Sequence, residues 1–342
     1  MLTLVRRWLA AGALCTAIVG CGGKSEDKPA PVIEPAKPPP VAPPVAPPVP
    51  AEAGSAAALK PSATSNDLAY LPTDSEVVVG LELSRLTTSA VWKQLVVPLL
   101  LEGDIKAKLA ELQARCGFDP IASIKTISFG ARDLDAKVSG VAVVRGADKA
   151  KVVACFDKLK ADPKAKLTIA QDGEITNLTS KGGDTVAVAF TDPTTAIVAF
   201  GPAAASIKTA MTGTSQLPKA AAFVAVLNQT NTQDPVWAVI NGDAKLLAPV
   251  RAIANLKVVF GSLAVAEGVA LEVRARFESA DKATQLATFA KNQSGMLLRA
   301  FTFDKLVIEA DGPDVKLTAA ASSENLQAII KQIKTMQSGQ TK

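Results

Sequence analysis

The 342-residue chain contains no histidine. That removes the side chain most often used as a general base near neutral pH, and with it Ser-His-acid triads, Cys-His dyads and the commonest zinc ligand. Aromatic residues make up only 4% of the chain. Trp92, Trp237 and Tyr70 each sit in an apolar stretch and read as core residues, not as exposed platforms for stacking sugars. No Gly-x-Gly-x-x-Gly fingerprint follows an expected strand, and the basic residues form no cluster, so nucleic-acid binding is not supported. Three near-motifs carry no chemistry. Gly23-Lys24-Ser25 has Ile18 where a phosphate loop needs its first Gly. Ser279-Ala280-Asp281-Lys282 fits Ser-x-x-Lys without the companion motifs, so Ser279 reads as a helix N-cap. Asp133 and Asp135 lack the further oxygen ligands of a calcium loop and read as a solvated turn. The expectation is a protein without enzymatic activity, cofactor or metal.

What the chain does have begins at its N-terminus. Arg6 and Arg7 are followed by a 12-residue apolar run, Trp8 to Val19, too short for a bilayer core that needs about 20 helical residues. Ile18-Val19-Gly20-Cys21 resembles a lipobox. The resemblance implies a bacterial lipoprotein: residues 1–20 are a signal peptide, and Cys21 becomes the acylated, palmitate-bearing first residue. More than one acyl chain gives stable membrane attachment without a spanning helix. Gly22 and Gly23 stand where an Asp holds enteric lipoproteins in the inner membrane, which favours the outer membrane.

Residues 21–66 read as a disordered tether. Eleven of the 22 prolines fall between Pro29 and Pro50. Proline fixes φ and removes amide donors, so Pro29 to Pro50 is expected to be an extended rod of about 65–70 Å.

Beyond the tether, the fold class reads as α+β in two tandem related units, 67–214 and 215–336, with a disordered tail at 337–342. Each unit is expected to be an antiparallel sheet with helices packed on one face and water on the other. Ile127-Ser128-Phe129-Gly130 recurs as Val258-Val259-Phe260-Gly261, and Asp148 to Phe156 recurs as Asp281 to Phe289. Ala196 to Ala210 answers Leu317 to Ile333. Val77, Val79, Leu81 and Leu83 alternate with Glu76, Gly80 and Glu82. Val269, Leu271, Val273, Ala275 and Phe277 alternate with Glu272, Arg274 and Arg276. Helical stripes are Val152, Cys155, Phe156 and Leu159 in the first unit, and Leu286, Phe289 and Ala290 in the second. A helical excursion, Asp104 to Cys116, stops at Gly117. A hairpin turns at Asp311-Gly312, and a last helix runs from about Ser323 to Lys334.

With Cys15 in the signal and Cys21 acylated, Cys116 and Cys155 remain as an even pair in an oxidising compartment. Both a disulfide and two buried thiols fit their positions on apolar helix faces.

The stretch from Tyr70-Leu71-Pro72-Thr73-Asp74-Ser75-Glu76 through Trp92-Lys93, with Cys116-Gly117-Phe118-Asp119-Pro120 and Gly140 to Gly146, resembles uncharacterised lipoproteins of myxobacteria and related bacteria. That resemblance implies an envelope-anchored protein and supplies no site residues. The expected role is binding or scaffolding at the cell envelope, with an unknown protein partner. The alternative is carriage of a lipid or other apolar ligand in the periplasm.

Overall fold

Alternating and continuous apolar runs both need a sheet to bury them, and here one sheet does so. A computed structural model describes residues 59–97, 103–134, 137–162, 167–251, 254–300 and 302–339. The expected signal peptide, Cys21, Asp135 and the part of the expected tether before residue 59 lie outside them.

The first seven strands are β1 (Val77–Glu82), β2 (Thr126–Arg132), β3 (Ser139–Arg145), β4 (Leu167–Asp172), β5 (Ile175–Ser180), β6 (Thr185–Asp192) and β7 (Thr195–Phe200). Five more follow: β8 (Val236–Asn241), β9 (Val258–Val265), β10 (Gly268–Arg276), β11 (Lys305–Asp311) and β12 (Asp314–Ser322). They form a 12-stranded sheet in the order β11-β12-β10-β9-β8-β1-β2-β3-β7-β6-β5-β4. All eleven neighbour pairs of this sheet are antiparallel, including the junction of β1 with β8. The antiparallel α+β class therefore holds, but the strands join in one continuous sheet.

The helices used below are α1 (Leu83–Thr88), α2 (Gly103–Cys116), α3 (Lys149–Ala161), α4 (Ile207–Met211), α5 (Ala221–Leu227), α6 (Ala280–Ala300) and α7 (Ser323–Gly339). Local chemistry explains several boundaries. Asp148 accepts from Lys151 N at 3.1 Å to cap α3, and Ser279 accepts from Lys282 N at 3.3 Å at the start of α6, so the capping reading of Ser279 stands. The turn between β11 and β12 has Gly312 at φ 58°. The last helix continues to Gly339, past both Lys334 and the expected start of the tail.

The expectation of helices on one face is corrected. Val78, Val143, Ile197, Val239 and Phe260 point into the main core, which α4, α5 and the 3-10 turn Ser65–Tyr70 cover. Their sequence neighbours Val144, Ala196 and Val198 face the opposite way and pack beneath Val152 and Phe156 of α3. Helices α6 and α7 cover that second face farther along, over Val259, Val315 and Val269. Runs that are apolar at every position, such as Thr195–Phe200, are what a strand buried on both faces requires. A wet face survives on β10, β12 and β11, where Arg276 binds the buried Asp314 and Arg274 binds Glu272 and Asp311, and β4 at the far edge is also largely exposed.

Two further corrections follow from burial. Phe289 is 55% exposed, and among the described side chains of α6 the buried ones are Ala283 and Ala287, with Leu286 half-buried beside them. The fold also begins before Asp67. Leu59 packs on the core, Lys60 N donates to Asn228 Oδ1 at 3.1 Å, and Thr64 Oγ1 accepts from Trp237 Nε1 at 3.0 Å.

Candidate functional site

At one end of the three central strands β1, β2 and β3, the chain leaves a cleft of about 450 Å³. Its floor is apolar: Leu71, Ala131, Gly140 and Val141, all buried. One wall is the loop from Ala69 to Ser75. The other is the turn Gly201–Ser206, helix α4 and the segment Thr214–Gln216.

Residue chemistry holds these walls in place. Asp67 anchors the turn that carries Tyr70. It is fully buried and accepts from Ser128 Oγ at 2.7 Å and from Arg145 Nε at 2.7 Å and Nη2 at 2.6 Å. Burial pushes the Asp67 carboxyl above its ordinary range, against the opposing pull of the Arg145 and Ser128 bonds. Ser75 Oγ donates to Pro72 O at 2.6 Å, and the lack of a side chain at Gly130 admits it, because a Cβ there would overlap Ser75 Oγ. Ser215 N donates to Ala69 O at 2.9 Å, and the Thr73 and Ser215 hydroxyls lie 3.3 Å apart, so the two walls are laced together at one end. Tyr70 rests its ring edge on Gly213.

The lining is rich in hydroxyls and poor in charge. Ser139 is 2% exposed; its Oγ accepts from Ala203 N at 3.0 Å, and among the described residues its own proton has no acceptor. The hydroxyls of Tyr70, Ser206 and Thr209 likewise make no hydrogen bond among the described residues. Arg132 and Asp74 are the charged lining residues and pair with each other. The arrangement can bind; no nucleophile and base stand together in it. Nor, among the described residues, does any group of three His, Cys, Asp or Glu side chains come together to hold a metal ion.

The residues singled out in the sequence are distributed differently. Trp237 is a core residue, 2% exposed, whereas Tyr70 is half-buried in the cleft wall. Cys116 and Cys155 are joined by a disulfide with Cα atoms 4.6 Å apart, which ties α2 to α3. Arg115 adds an ion pair to Asp162 at the end of α3. Asp133 sits in a turn at φ 55°. The cleft escaped sequence reading because five separated segments build it. Its local signal was the density of Ser and Thr in residues 206–216 beside Tyr70 to Ser75.

No family model matches the chain, and no curated protein sequence matches it. Among solved structures, crystal form III of TP0453 is similar at a TM-score of 0.50 and 12% sequence identity, covering 77% of this chain and 96% of that one. Crystal form I of the same protein aligns at a TM-score of 0.45 and 13% identity, over 81% of this chain and 98% of that one. The first of these likenesses is one of fold.

Proposed function

We propose that the protein is a lipid-anchored binding module of the bacterial cell envelope, without enzymatic activity, and that the cleft beside Tyr70 is its ligand site. The observation that carries this reading is the cleft itself. Hydroxyls with unused hydrogen-bonding capacity, buried at Ser139, half-buried at Tyr70 and exposed at Ser206 and Thr209, converge over an apolar floor, the composition expected of a small-molecule site of about 300–1,000 Å³. The lipobox at Cys21 and the Pro-rich tether supply the address, with the outer membrane favoured. The anchor is tested by Cys21→Ala, which is expected to abolish labelled palmitate incorporation and to make the protein salt-extractable. Continued detergent-only extraction refutes it.

The two-unit reading belongs to the same proposal, and hydrogen bonding supports it. The order β1-β2-β3-β7-β6 on one side of the junction is repeated as β8-β9-β10-β12-β11 on the other. Lys125 N donates to Arg145 O and Lys257 N to Arg276 O, both at 2.8 Å. Gly146 N donates to Thr194 O at 2.8 Å and Phe277 N to Pro313 O at 2.9 Å. At the junction, Glu82 N to Pro235 O and Asn241 N to Glu76 O are both 2.7 Å. These pairs match Gly80 with Val239 and Ser128 with Phe260. They do not match Phe129 with Phe260, which lie on opposite faces: Phe129 pairs Val79, while Phe260 pairs Val239 and hence lies on the side of Val78.

A second reading, carriage of an apolar ligand, is favoured by one observation. On the face opposite the main core, Val79, Leu81, Phe129, Ile240, Leu263 and Leu271 stay only half-buried in the middle of the sheet. Native mass spectrometry of the chain from Gly22 onward, exported through a cleavable signal and purified without detergent, separates the two. A bound mass that extracts as lipid makes the carrier reading primary.

A further inference from the structure

Resting on the reading of this cleft as the ligand site, we infer that its ligand is a short neutral saccharide. Three properties of the lining narrow the chemistry. The first is charge. Arg132 and Asp74 neutralise each other at the rim, and no other charged side chain lines the cleft. Both side chains of the pair are exposed and already matched, so the lining offers an anion no unpaired cation, and phosphates and uronates are disfavoured.

The second is hydrogen bonding. A hydroxyl donates one bond and accepts two, so the lining hydroxyls of Tyr70, Ser139, Ser206 and Thr209 match a ligand that also does both at many closely spaced points. Ser139 is the sharpest case. It is 98% buried by its 2% exposure, its acceptor side is held by Ala203 N, and its proton is left for a ligand oxygen. Gln216 donates Nε2 to Thr214 O at 3.1 Å, which leaves its carbonyl oxygen as an acceptor beside these donors. An apolar ligand would leave these groups desolvated and unpaired.

The third is the surface between the hydroxyls. Leu71, Val141, Pro72 and Pro202 offer apolar contact next to the Tyr70 ring. A pyranose has that same alternation of C–H faces and hydroxyl edges. A peptide does not fit as well. The strands that end at the cleft are β1, β2 and β3, all interior to the sheet, so no free strand edge is available for an added strand.

The test uses the mature chain from Gly22 onward and saturation-transfer NMR with named probes: maltotriose, cellobiose, mannobiose, chitobiose and, as the charged control, digalacturonate. The expected result is saturation transfer to at least one neutral probe and none to digalacturonate. Ser206→Ala/Thr209→Ala, on exposed positions, is expected to weaken binding at least tenfold, as is Ser139→Ala with unchanged circular dichroism. Tyr70→Phe is expected to weaken it less than Ser139→Ala. Absence of binding by all neutral probes, or binding that these substitutions leave unchanged, overturns the saccharide assignment. Small uncharged amide and aromatic fragments are screened in parallel. If they bind and Ser139→Ala or Ser206→Ala/Thr209→Ala removes them while sugars fail, the cleft stands as a ligand site and the saccharide is wrong. If neither class binds there, both readings fail.

Discussion

Replacing Gly80 by Ala tests the packing at the junction of β1 and β8. Gly80 lies directly opposite Trp237 in the β1–β8 pair. A Cβ at position 80 would fall inside the indole, 2.6 Å from Cζ2 and closer still to Nε1 and Cε2. Trp237 has little room to yield: it is 2% exposed, and its Nε1 donates to the buried Thr64 Oγ1 at 3.0 Å. Overpacking a filled core costs about 1–3 kcal/mol. Moving the indole far enough to relieve the overlap also strands a buried donor, for about 1–3 kcal/mol more. The lower chain entropy of Ala in the unfolded state returns about 0.4–1 kcal/mol. The expected net loss is therefore about 2–5 kcal/mol, read from urea midpoints followed by tryptophan fluorescence and circular dichroism. Trp237→Leu removes the obstacle, so Gly80→Ala in that background is expected to cost far less, giving a coupling of about 2 kcal/mol or more. Gly295→Ala is a control of opposite sign. Gly295 is exposed within α6, with nothing within 4 Å of an added Cβ, and a helical Gly→Ala change gains about 0.5–1 kcal/mol. A Gly80→Ala loss below about 0.5 kcal/mol, or equal losses in both backgrounds, refutes the close approach.

The remaining predictions concern the disulfide and the buried carboxylate. Bridging residues 39 apart is worth about 4 kcal/mol by the chain-entropy estimate, so Cys116→Ser/Cys155→Ser is expected to lower the unfolding free energy from urea titration by about that amount; two titratable thiols in the unreduced, denatured chain from Gly22 onward refute the bridge. For Asp67 the sign follows from its raised carboxyl: the native state holds this proton above the unfolded pKa, so the Asp67 contribution is largest below about pH 3.8 and is lost as pH rises through the native pKa. The stability of wild type relative to Asp67→Asn is therefore expected to fall between pH 3 and pH 7 in urea titrations; a rise over that range means that the Arg145 ion pair outweighs burial.

How far the sequence foretold the molecule depended on the range of each interaction. The Asp311-Gly312 hairpin, the Ser279 cap and the alternation of Val269 to Ala275 were legible because each depends on neighbours within a few residues. The β1–β8 pairing was not, since Val78 meets Val239 across a chain separation that no periodicity encodes. The error at Phe289 came from aligning Asp281 to Phe289 with Asp148 to Phe156 as a repeat. Helix α6 actually starts from the Ser279 cap, which turns Phe289 to solvent and gives the buried stripe to Ala283 and Ala287. The one-residue slip that matched Phe129 with Phe260 has the same character, because one residue in a strand exchanges the two faces of a sheet. The expectation of a wet face failed in the first half for a readable reason: Val186–Phe190 and Thr195–Phe200 have no polar alternation at all.

Among the described residues the cleft lies on the β1–β7 side of the junction, and the route of the chain after each last hairpin explains why. After β12 the chain enters α7, which packs Leu326 and Ile329 beside Ala321 and Val269 on the second face. After β7 it turns instead at Gly201, at φ 62°, where a Cβ would overlap Val138 O. That left-handed residue, open to glycine and strained for others, sends Pro202 to Ser206 and α4 across to the main-core face. There Ala204 and Ile207 bury themselves, and Ser206 and Thr209 are left along the cleft. The loop before β1 supplies the other wall because Asp67 pins it to Arg145 and Ser128. Its counterpart before β8 is committed to the framework: Asp234 accepts from Ser262 Oγ at 2.6 Å, and Gln229 accepts from Arg276 at 2.6 Å. The first half thus turns one helix over the sheet where the second keeps its frame closed, so on the proposed reading of the cleft Gly201→Ala is expected to weaken saccharide saturation transfer before it changes the β8–β12 half; unchanged transfer counts against that reading.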